Sequence, residues 1–600
     1  MTEDDRAARE PDNNGTEAAA GNGTATRGSA GEVRNRLLFW AVAFGITVLF
    51  SIWRAYQFAD LEPRTDQAFT TAWVRSLIHA ERIWPQHLDG AGLVQSLTVD
   101  EGSLLNILLR QIALANDLIF TVLSLVWFAV LTFPWGGSMP AQIIASIAAG
   151  SLALAVAAAL PALARAGGRT DEYRLSPVAV GLVFLLLAFG SSFLNLFSAA
   201  GFHNFGVLML IAGVVAAERW MARVDGRGLA PEAWVGLAIV VTVHGAACFS
   251  HYTNVFILPP ATVLLIADRS RPLARRMRVA AFYAAGVVLF LSPAIVLALI
   301  SPGAGHEGAA QDFMTRLIWV FSQEGNSPLD WLHRAGRWFS VMALMTSLPA
   351  LVLGLAGLAA MARYQGFRLP LIVVSVHFLL GVLMSGFNQY DRTGAYAIPF
   401  LFLGMAWSLI WCWQYVRRDR DVGVWSRKLG VIAAALALLA THGNAQWPGF
   451  VDFMKVPLWH NHMAGSSGFR AVVEKVEGYV PRGGLLIAWD YPLVHRFRSL
   501  SQRAWSDYQV IRPAETLVRE WKAGRLQDYA SRFGIEIPEG SATFVFAKAD
   551  RFDKELERSF LSIFGENGFG WSNVPTFRVV ERMSWRSRAP QIEFVLYEAR

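Results

Sequence analysis

Two acidic residues follow the first apolar run of the chain, within the polar segment 57–113. Asp60 and Asp66 lie just beyond a run that is long enough to cross a bilayer, which places their carboxylates near lipid head groups. A carboxylate in that position can take the proton of an acceptor hydroxyl or help to hold a metal ion. Asp66 also precedes a helical pattern, and its spacing alone favours a capping role slightly; the two roles can coexist.

A second acidic pair, Asp100 and Glu101, lies near the end of the same polar segment. It is a rival for the acid–base role. Acids are also favoured in the first turn of a helix, because they lie at the positive end of its dipole. The residues alone rank this pair second, after Asp66.

Polar side chains at the ends of later apolar runs are further candidates. His203 lies at one such turn, and His251 and Asn254 lie at another. Histidine or asparagine at a membrane–water boundary can bind phosphate or sugar hydroxyls. The alternative is interfacial anchoring or hydrogen bonding between helices.

The turn 388–396 places Arg392 and Tyr396 before a further apolar run. An arginine at the level of the head groups is a fixed cation, and its guanidinium suits a phosphate. The alternative is a surface ion pair between Arg392 and its neighbour Asp391. The sequence favours the phosphate role slightly.

The overall composition predicts the kind of structural element that carries these side chains. Hydrophobic residues make up 54% of the 600 residues, charged residues make up 16%, and the mean hydropathy is +0.36. A typical soluble domain has about 25% charged residues. The chain is therefore predicted to be an α-helical polytopic membrane protein, which excludes a secreted enzyme, a disordered scaffold and a nucleic-acid binder. The net charge of +7 comes mostly from arginines in short loops between apolar runs.

Apolar runs of roughly spanning length follow a polar tail, residues 1–34, that lacks the apolar mass to fold. They are predicted near 37–56, 118–133, 141–163, 177–196, 203–220, 233–250, 254–268, 279–300, 338–362, 369–386, 394–416 and 428–442. The short run 118–133 is expected to lie along the membrane or dip into it. This gives 11 membrane-spanning helices, or 13 if 118–133 and 103–115 both cross.

The distribution of arginine and lysine predicts the orientation. Loops with clustered basic residues face the cytoplasm. The N-terminus is then cytoplasmic, and the first loop 57–113 and residues 443–600 lie outside. The cysteines, Cys248 and Cys412, both fall in apolar runs, so no disulfide or zinc site is expected.

Residues 443–600 have an ordinary soluble composition. Strand-like runs at 485–489, 542–546 and 592–596 alternate with stretches that are compatible with helices, such as 514–533. This pattern predicts an extracytoplasmic α/β domain at the C-terminus. Residues 35–442 form the predicted transmembrane domain.

Several of these features resemble the GT-C superfamily of membrane glycosyltransferases, of the PMT and ArnT-like type. In that family an acidic motif follows the first transmembrane helix, and Asp66-Gln67-Ala68-Phe69 is similar to it. Gln67 stands where a second acid is often found, which favours a lone catalytic Asp66 over a two-acid metal site. An arginine and a tyrosine before a proline-containing helix, here Arg392 and Tyr396, are a further similarity.

The resemblance implies an inverting glycosyltransferase, for a hexosyl or pentosyl group, at the outer face of a bacterial inner membrane. The donor would be a sugar on a polyprenyl phosphate, and the acceptor a glycan, lipid or protein. Asp66 would be the catalytic base, with Asp60, Asp100 and Glu101 as candidate second acids. The donor phosphate would be held by Arg392, His251 and Tyr396, and the sugar or acceptor by Gln67, His203 and Asn254.

No cofactor is specified by the sequence, although a divalent cation is compatible with the acidic residues. No Walker loop or Rossmann glycine fingerprint is evident, which disfavours ATP-driven transport. Other classes remain as alternatives. One is a transporter or flippase of a lipid-linked glycan, and the other is a non-catalytic partner in glycan assembly.

Overall fold

Helices dominate the first two thirds of the chain. The computed structural model describes residues 70–71, 74–75, 78, 122–138, 141–146, 148–150, 152–153, 202–227, 231–267, 272–300, 327–364, 366–383, 393–418, 425–455, 468–488, 497, 500–501, 508–511, 514–527, 530, 537, 540, 542–549, 552–565, 568–573, 575–585 and 592–600. The first five helices are α1 Val122–Thr132, α2 Phe202–Arg227, α3 Pro231–Ser250, α4 Tyr252–Ile266 and α5 Leu273–Ile300. The next five are α6 Pro328–Thr346, α7 Leu348–Tyr364, α8 Leu369–Leu383, α9 Ile398–Arg418 and α10 Trp425–Lys455.

Several of these helices are suited to crossing a membrane. Within the described ranges, four are long and apolar enough: His203–Val224, Pro231–Ser250, Gly394–Cys412 and Lys428–Ala445, with the bent pair α6–α7 as a fifth. The protein is thus mostly helical and multi-pass. The predicted total of 11 to 13 spans stays a prediction, because the runs 37–56 and 177–196 lie outside the described residues.

The run predicted at 338–362 is interrupted, which corrects the expectation of one continuous helix. Helices α6 and α7 meet at an angle of 105°. Between them Ser347 has a φ of 81°, a left-handed conformation that costs free energy for a residue with a side chain. Pro349 lacks the N–H that would continue the helix. Ser347 Oγ lies 2.7 Å from Nδ1 of His442 in α10, and this contact stabilises the break.

Glycines bring two of the membrane helices close together. Gly354 and Gly357 of α7 lie against Gly404 of α9, and a Cβ at either α7 position would overlap the α9 backbone. Small residues let helix backbones approach closely in a bilayer, where packing replaces the hydrophobic effect as the driving force. Helix α9, which follows the turn carrying Tyr396, is thereby held in place.

Helix α1 coincides with the run 118–133 that was expected not to span. It has 11 residues, about 16 Å, which is shorter than a crossing requires. It ends in a 3-10 turn, Phe133–Trp135, followed by Gly136 and Gly137 with positive φ. Whether the run dips into the membrane or lies along it stays a prediction.

The C-terminal third contains a mixed sheet. Its elements are α11 Gly468–Tyr479, β1 Gly484–Ala488, β2 Tyr508–Ile511, α12 Ala514–Lys522, β3 Thr543–Lys548, α13 Lys554–Phe564, β4 Phe577–Trp585 and β5 Ile592–Ala599. The strand order is β2-β1-β3-β5-β4, with β1 parallel to both β2 and β3, and β5 antiparallel to β3 and β4. Strands β1, β3 and β5 coincide with the three predicted runs. The predicted domain boundary at 443 falls inside α10.

The described residues of the first loop contact the sheet region. Its described helical positions, Thr70, Thr71, Val74, Arg75 and Ile78, share one helical face. Val74 belongs to the same buried apolar cluster as Leu486 and Phe546 of the sheet. Arg75 Nη1 donates a hydrogen bond of 3.0 Å to the carbonyl of Ser501. The segment just after Asp66 is therefore anchored to the C-terminal region.

Candidate functional site

The turn between α3 and α4 consists of one residue, His251, with an extended backbone. Its side chain caps α4, since Nδ1 accepts a hydrogen bond of 3.2 Å from the backbone N–H of Thr253. An imidazole nitrogen that accepts a hydrogen bond carries no proton, so the ring is neutral and its proton is on Nε2. His251 is almost completely buried. It is thus a fixed N–H donor at the end of a helix.

Rings from three separate helix ends meet beside this turn and form the His203–His251–Tyr396 cluster. His203 lies in the first turn of α2, and Tyr396 ends the 3-10 turn Gly394–Tyr396 before α9. The ring centroids of His203 and His251 are 4.4 Å apart, and those of His251 and Tyr396 are 5.5 Å apart. Between His203 and Tyr396 the distance is 6.1 Å. The fold therefore brings together three residues that the sequence predicted separately.

A glycine one turn into α2 makes this approach sterically feasible. A Cβ on Gly206 would lie 2.6 Å from the Tyr396 hydroxyl and 2.8 Å from Cβ of His251. Any larger side chain would displace one of the two rings. Gly206 was not a candidate from the sequence, because a glycine inside an apolar run carries no signal of what lies opposite it.

Asn254, one turn into α4, is oriented by the same glycine. Its Nδ2 donates to the carbonyl of Gly206 and to that of Ala247, each at 2.9 Å. Carbonyl oxygens only accept hydrogen bonds, so the amide nitrogen must face them. The orientation of Oδ1 is therefore fixed as well, and this buried acceptor has no hydrogen-bond partner among the described residues.

Buried polar atoms without a protein partner surround the cluster. Among the described residues these include the hydroxyl of Tyr396, the hydroxyl of Thr253 and Oδ1 of Asn254, all on residues that are 0% exposed. An unpaired buried polar atom costs about 1–3 kcal/mol. Such atoms usually meet water or a ligand, and these hydroxyl and amide groups suit a hydroxylated one.

Small polar residues form hydrogen bonds between the helices that carry the cluster and their neighbours. Ser124 of α1 donates to the carbonyl of Ser250 at 2.6 Å, and Asn204 of α2 donates to the hydroxyl of Ser146. These hydrogen bonds tie α1 and the helical positions 141–146 to the N-terminal end of α2 and the C-terminal end of α3. Serines within apolar runs did not stand out in the sequence, although small polar residues commonly form hydrogen bonds between membrane helices.

Comparison with known proteins gives no match in sequence and a clear match in fold. No family model matches the chain, and no curated protein matches it. ArnT from Cupriavidus metallidurans, in a crystal structure bound to undecaprenyl phosphate, is similar with a TM-score of 0.52 and 11% identity, over 96% of this chain and 98% of that one. The apo oligosaccharyltransferase of Archaeoglobus fulgidus is similar with a TM-score of 0.50 and 11% identity, over 89% of this chain and 72% of that one.

The protein has the fold of the GT-C membrane glycosyltransferases. The resemblance drawn from the sequence is confirmed at this level. The agreement extends over nearly the whole length of ArnT, so it includes both the helical part and the sheet region. At 11% identity it concerns the fold alone.

The remaining predicted site residues of this GT-C-like chain lie outside the described residues. They are Asp60, Asp66, Gln67, Asp100, Glu101 and Arg392. Their nearest described neighbours are Thr70, which follows Asp66 in the first loop, and Thr393, which is bonded to Arg392. In the part of the chain that the structure describes, no group of three or more His, Cys, Asp or Glu side chains is arranged to hold a metal ion.

Proposed function

We propose that the protein is a glycosyltransferase that uses a sugar on a polyprenyl phosphate as its donor. The acceptor is a hydroxyl of a glycan, lipid or protein at the outer face of a bacterial inner membrane. The observation that carries the proposal is the His203–His251–Tyr396 cluster, which gathers polar groups from three helix ends within a GT-C fold. The undecaprenyl phosphate in the similar ArnT structure supports a lipid phosphate as the ligand class.

The reaction is a displacement at the anomeric carbon of the donor sugar. The acceptor oxygen forms a bond to that carbon while its proton passes to the carboxylate of Asp66. The bond from the anomeric carbon to the phosphate oxygen breaks, and the electron pair leaves with the polyprenyl phosphate. A single displacement of this kind inverts the anomeric configuration of the hexosyl or pentosyl group.

Charge develops on the departing phosphate, and the residues assigned to it are donors. Arg392 supplies a permanent cation, and preorganised donors aimed at developing charge are the largest single contribution in many enzymes. The Nε2–H of His251 and the hydroxyl of Tyr396 add neutral donors beside it. His203, Asn254 and Gln67 are assigned to the hydroxyls of the sugar or acceptor.

The C-terminal region has a structural role in this proposal as well as a role in binding the acceptor. It contacts the first loop through Val74 and Arg75, a few residues beyond the proposed base. Residues 443–600 are proposed to be an extracytoplasmic domain, with the N-terminal tail 1–34 in the cytoplasm.

The proposal is tested by replacing Asp66 with asparagine in a deletion strain, at membrane levels matched to wild type. Asparagine caps a helix about as well as aspartate does, so this change removes the base and keeps the cap. We expect the variant to lack the same envelope sugar as the deletion strain, and the missing sugar identifies the donor.

A matched control is available in the C-terminal region. Asp553 caps α13 by accepting a hydrogen bond of 2.9 Å from the backbone N–H of Leu556. Asp553→Asn should leave the glycan unchanged. If Asp66→Asn also restores the glycan fully, Asp66 is only a cap, and transport of a lipid-linked glycan or assembly without catalysis becomes the leading account.

A further inference from the structure

The turn that carries Tyr396 is held by a chain of two buried side chains. Trp338 of α6 donates from Nε1 to Nδ1 of His377 in α8 at 3.0 Å. His377 donates in turn from Nε2 to the carbonyl of Thr393 at 3.0 Å. Because a carbonyl only accepts, the proton must be on Nε2, which leaves Nδ1 free to accept from the indole. Both ring nitrogens of His377 are therefore used.

Side chains of α6 also pack against this turn. A Cβ on Gly394 would lie 2.8 Å from Cε of Met342 and 3.0 Å from Sδ of Met345. Gly394 is thus pressed against two side chains of α6 while His377 fixes the carbonyl just before it. Two contacts of different kinds leave the turn little freedom to shift.

Tyr396 is the last residue of this turn, so the position of the turn sets the position of the Tyr396 hydroxyl in the cluster. The hydroxyl lies against Gly206, and the centroid of the Tyr396 ring is 5.5 Å from that of His251. The hydrogen bonds of Trp338 and His377 lead to the turn, so we expect their effect on a ligand in the cluster to pass through the turn. A side chain that orients a functional group in this way fixes its geometry without contacting the ligand.

We propose that Trp338 and His377 are positioning residues that fix the turn Thr393–Tyr396 and thereby aim the Tyr396 hydroxyl into the ligand site. The inference rests on the proposed function for the nature of the ligand. Helix α6 acts as the support that sets the geometry of the donor site.

The first experiment measures binding of undecaprenyl phosphate to purified full-length variants. His377→Leu removes both hydrogen bonds, and we expect roughly tenfold weaker binding, the effect of one lost buried hydrogen bond. His377→Gln keeps an amide donor for the carbonyl of Thr393 and should restore most of the affinity. A role in general stability alone predicts no such rescue.

His244→Leu is the matched control. His244 is also buried in the helix bundle and also uses both ring nitrogens, with Tyr283 and the carbonyl of Gly213 as partners. It is not connected to the turn at Thr393. We expect it to lower the melting temperature without changing the affinity of the folded protein. Equal weakening by His244→Leu and His377→Leu would overturn the proposal.

A double-mutant cycle then separates positioning from independent packing effects. In a Tyr396→Phe background there is no hydroxyl left to aim, so His377→Leu should weaken binding by less than about twofold. If the two changes multiply instead, His377 does not act through Tyr396, and the inference is wrong.

Hydrogen–deuterium exchange without any ligand keeps the inference testable if the proposed donor is wrong. His377→Leu should speed exchange of the amides at 394–398, whereas His244→Leu should not. If the wild-type protein fails to bind undecaprenyl phosphate, the proposed donor is wrong. The exchange result still tests whether His377 positions the turn. Unchanged exchange in His377→Leu contradicts the inference regardless of the ligand.

Discussion

Two histidine–tyrosine pairs in the described helical part differ in how their polar atoms are used. The inner pair, His244 and Tyr283, lies within α3 and α5, and the outer pair, His251 and Tyr396, lies at helix ends. In the inner pair, the hydroxyl of Tyr283 lies 2.5 Å from Nδ1 of His244, whose Nε2 donates to the carbonyl of Gly213 at 2.9 Å. In the outer pair, His251 caps α4, but the hydroxyl of Tyr396 has no partner among the described residues. Side chains of the same types therefore form a closed network in one place and an open one in the other.

This difference separates structural polar groups from groups that can receive a ligand. A buried network whose members are all paired rigidifies the helices that carry it. An open set is destabilising until something fills it, and such sets persist mainly where function requires them. By this criterion we propose that the outer pair belongs to the ligand site, whereas the inner pair holds α2, α3 and α5 together.

The largest expected effect comes from closing the space beside the outer pair. Gly206→Ala places a Cβ against Tyr396 and His251, so we expect binding of undecaprenyl phosphate to fall by at least about tenfold, with a stability loss of about 1–3 kcal/mol from overpacking. Gly213→Ala is the control beside the inner pair, where the added Cβ meets Cδ2 of Leu258 and the ring of His244.

The control should show a comparable loss of stability with the affinity of the folded protein unchanged. Thermal unfolding measures the stability of both variants, and a lipid-binding assay measures their affinity. Equal loss of lipid binding in the two glycine variants would show that the two pairs do not differ in their relation to the ligand.

Removing the two hydroxyls tests the comparison directly. Tyr283→Phe leaves Nδ1 of His244 without its donor, which should cost about 1–3 kcal/mol of stability. Tyr396→Phe removes a hydroxyl that has no described partner, so stability should stay the same or rise while lipid binding weakens. Chemical unfolding and binding assays on both variants provide the readout, and the opposite assignment of effects would reverse the roles of the pairs.

A paired contact between the first loop and the C-terminal region should behave like the inner pair. Arg75→Ala removes the hydrogen bond to the carbonyl of Ser501 and should cost about 1 kcal/mol, with looser attachment of the first loop to the C-terminal region. Protease protection of the first loop measures this attachment. Arg582→Ala, an arginine on β4, serves as a control that should leave the first loop protected to the wild-type level.

The smallest effect is expected at an exposed network in the C-terminal region. The hydroxyl of Tyr479 donates to Glu581 at 2.9 Å, and Lys475 lies 3.4 Å from the same carboxylate; both hold the pKa of Glu581 below its usual range. A lowered carboxyl pKa stabilises the fold above the ordinary pKa of glutamate, and this contribution is lost as the pH falls through the lowered value.

Tyr479→Phe should therefore reduce stability slightly near neutral pH and not at all at strongly acidic pH. Solvent screening keeps the difference small. Melting temperatures of variant and wild type across an acidic pH series measure it. A difference that persists at the lowest pH would show that Tyr479 acts through packing instead.

Several features of the fold could be predicted from particular residues. Apolar runs at 203–220, 233–250 and 394–416 match helices, because a bilayer requires long apolar segments whatever their neighbours are. The strands at 484–488, 543–548 and 592–599 were likewise visible as short runs. The break at Ser347 was not, since a single serine within an apolar run does not reveal a left-handed backbone.

The candidate site was predictable as separate residues and unpredictable as an arrangement. His203, His251, Asn254 and Tyr396 stood out because polar groups at the ends of apolar runs are costly unless they are used. Gly206, Trp338 and His377 did not stand out. Their importance depends on what lies opposite them in space, which a single sequence does not contain.

The sequence by itself determined that the chain is a membrane protein with a soluble-like C-terminal third, because hydropathy and charge act locally along the chain. It also determined which residue types are available at the turns between apolar runs. Only the tertiary structure decided which of those residues meet. Hydrogen bonds and close packing join α2, α4 and α9 across long stretches of sequence, and a polar atom is open or paired only with respect to neighbours that folding supplies.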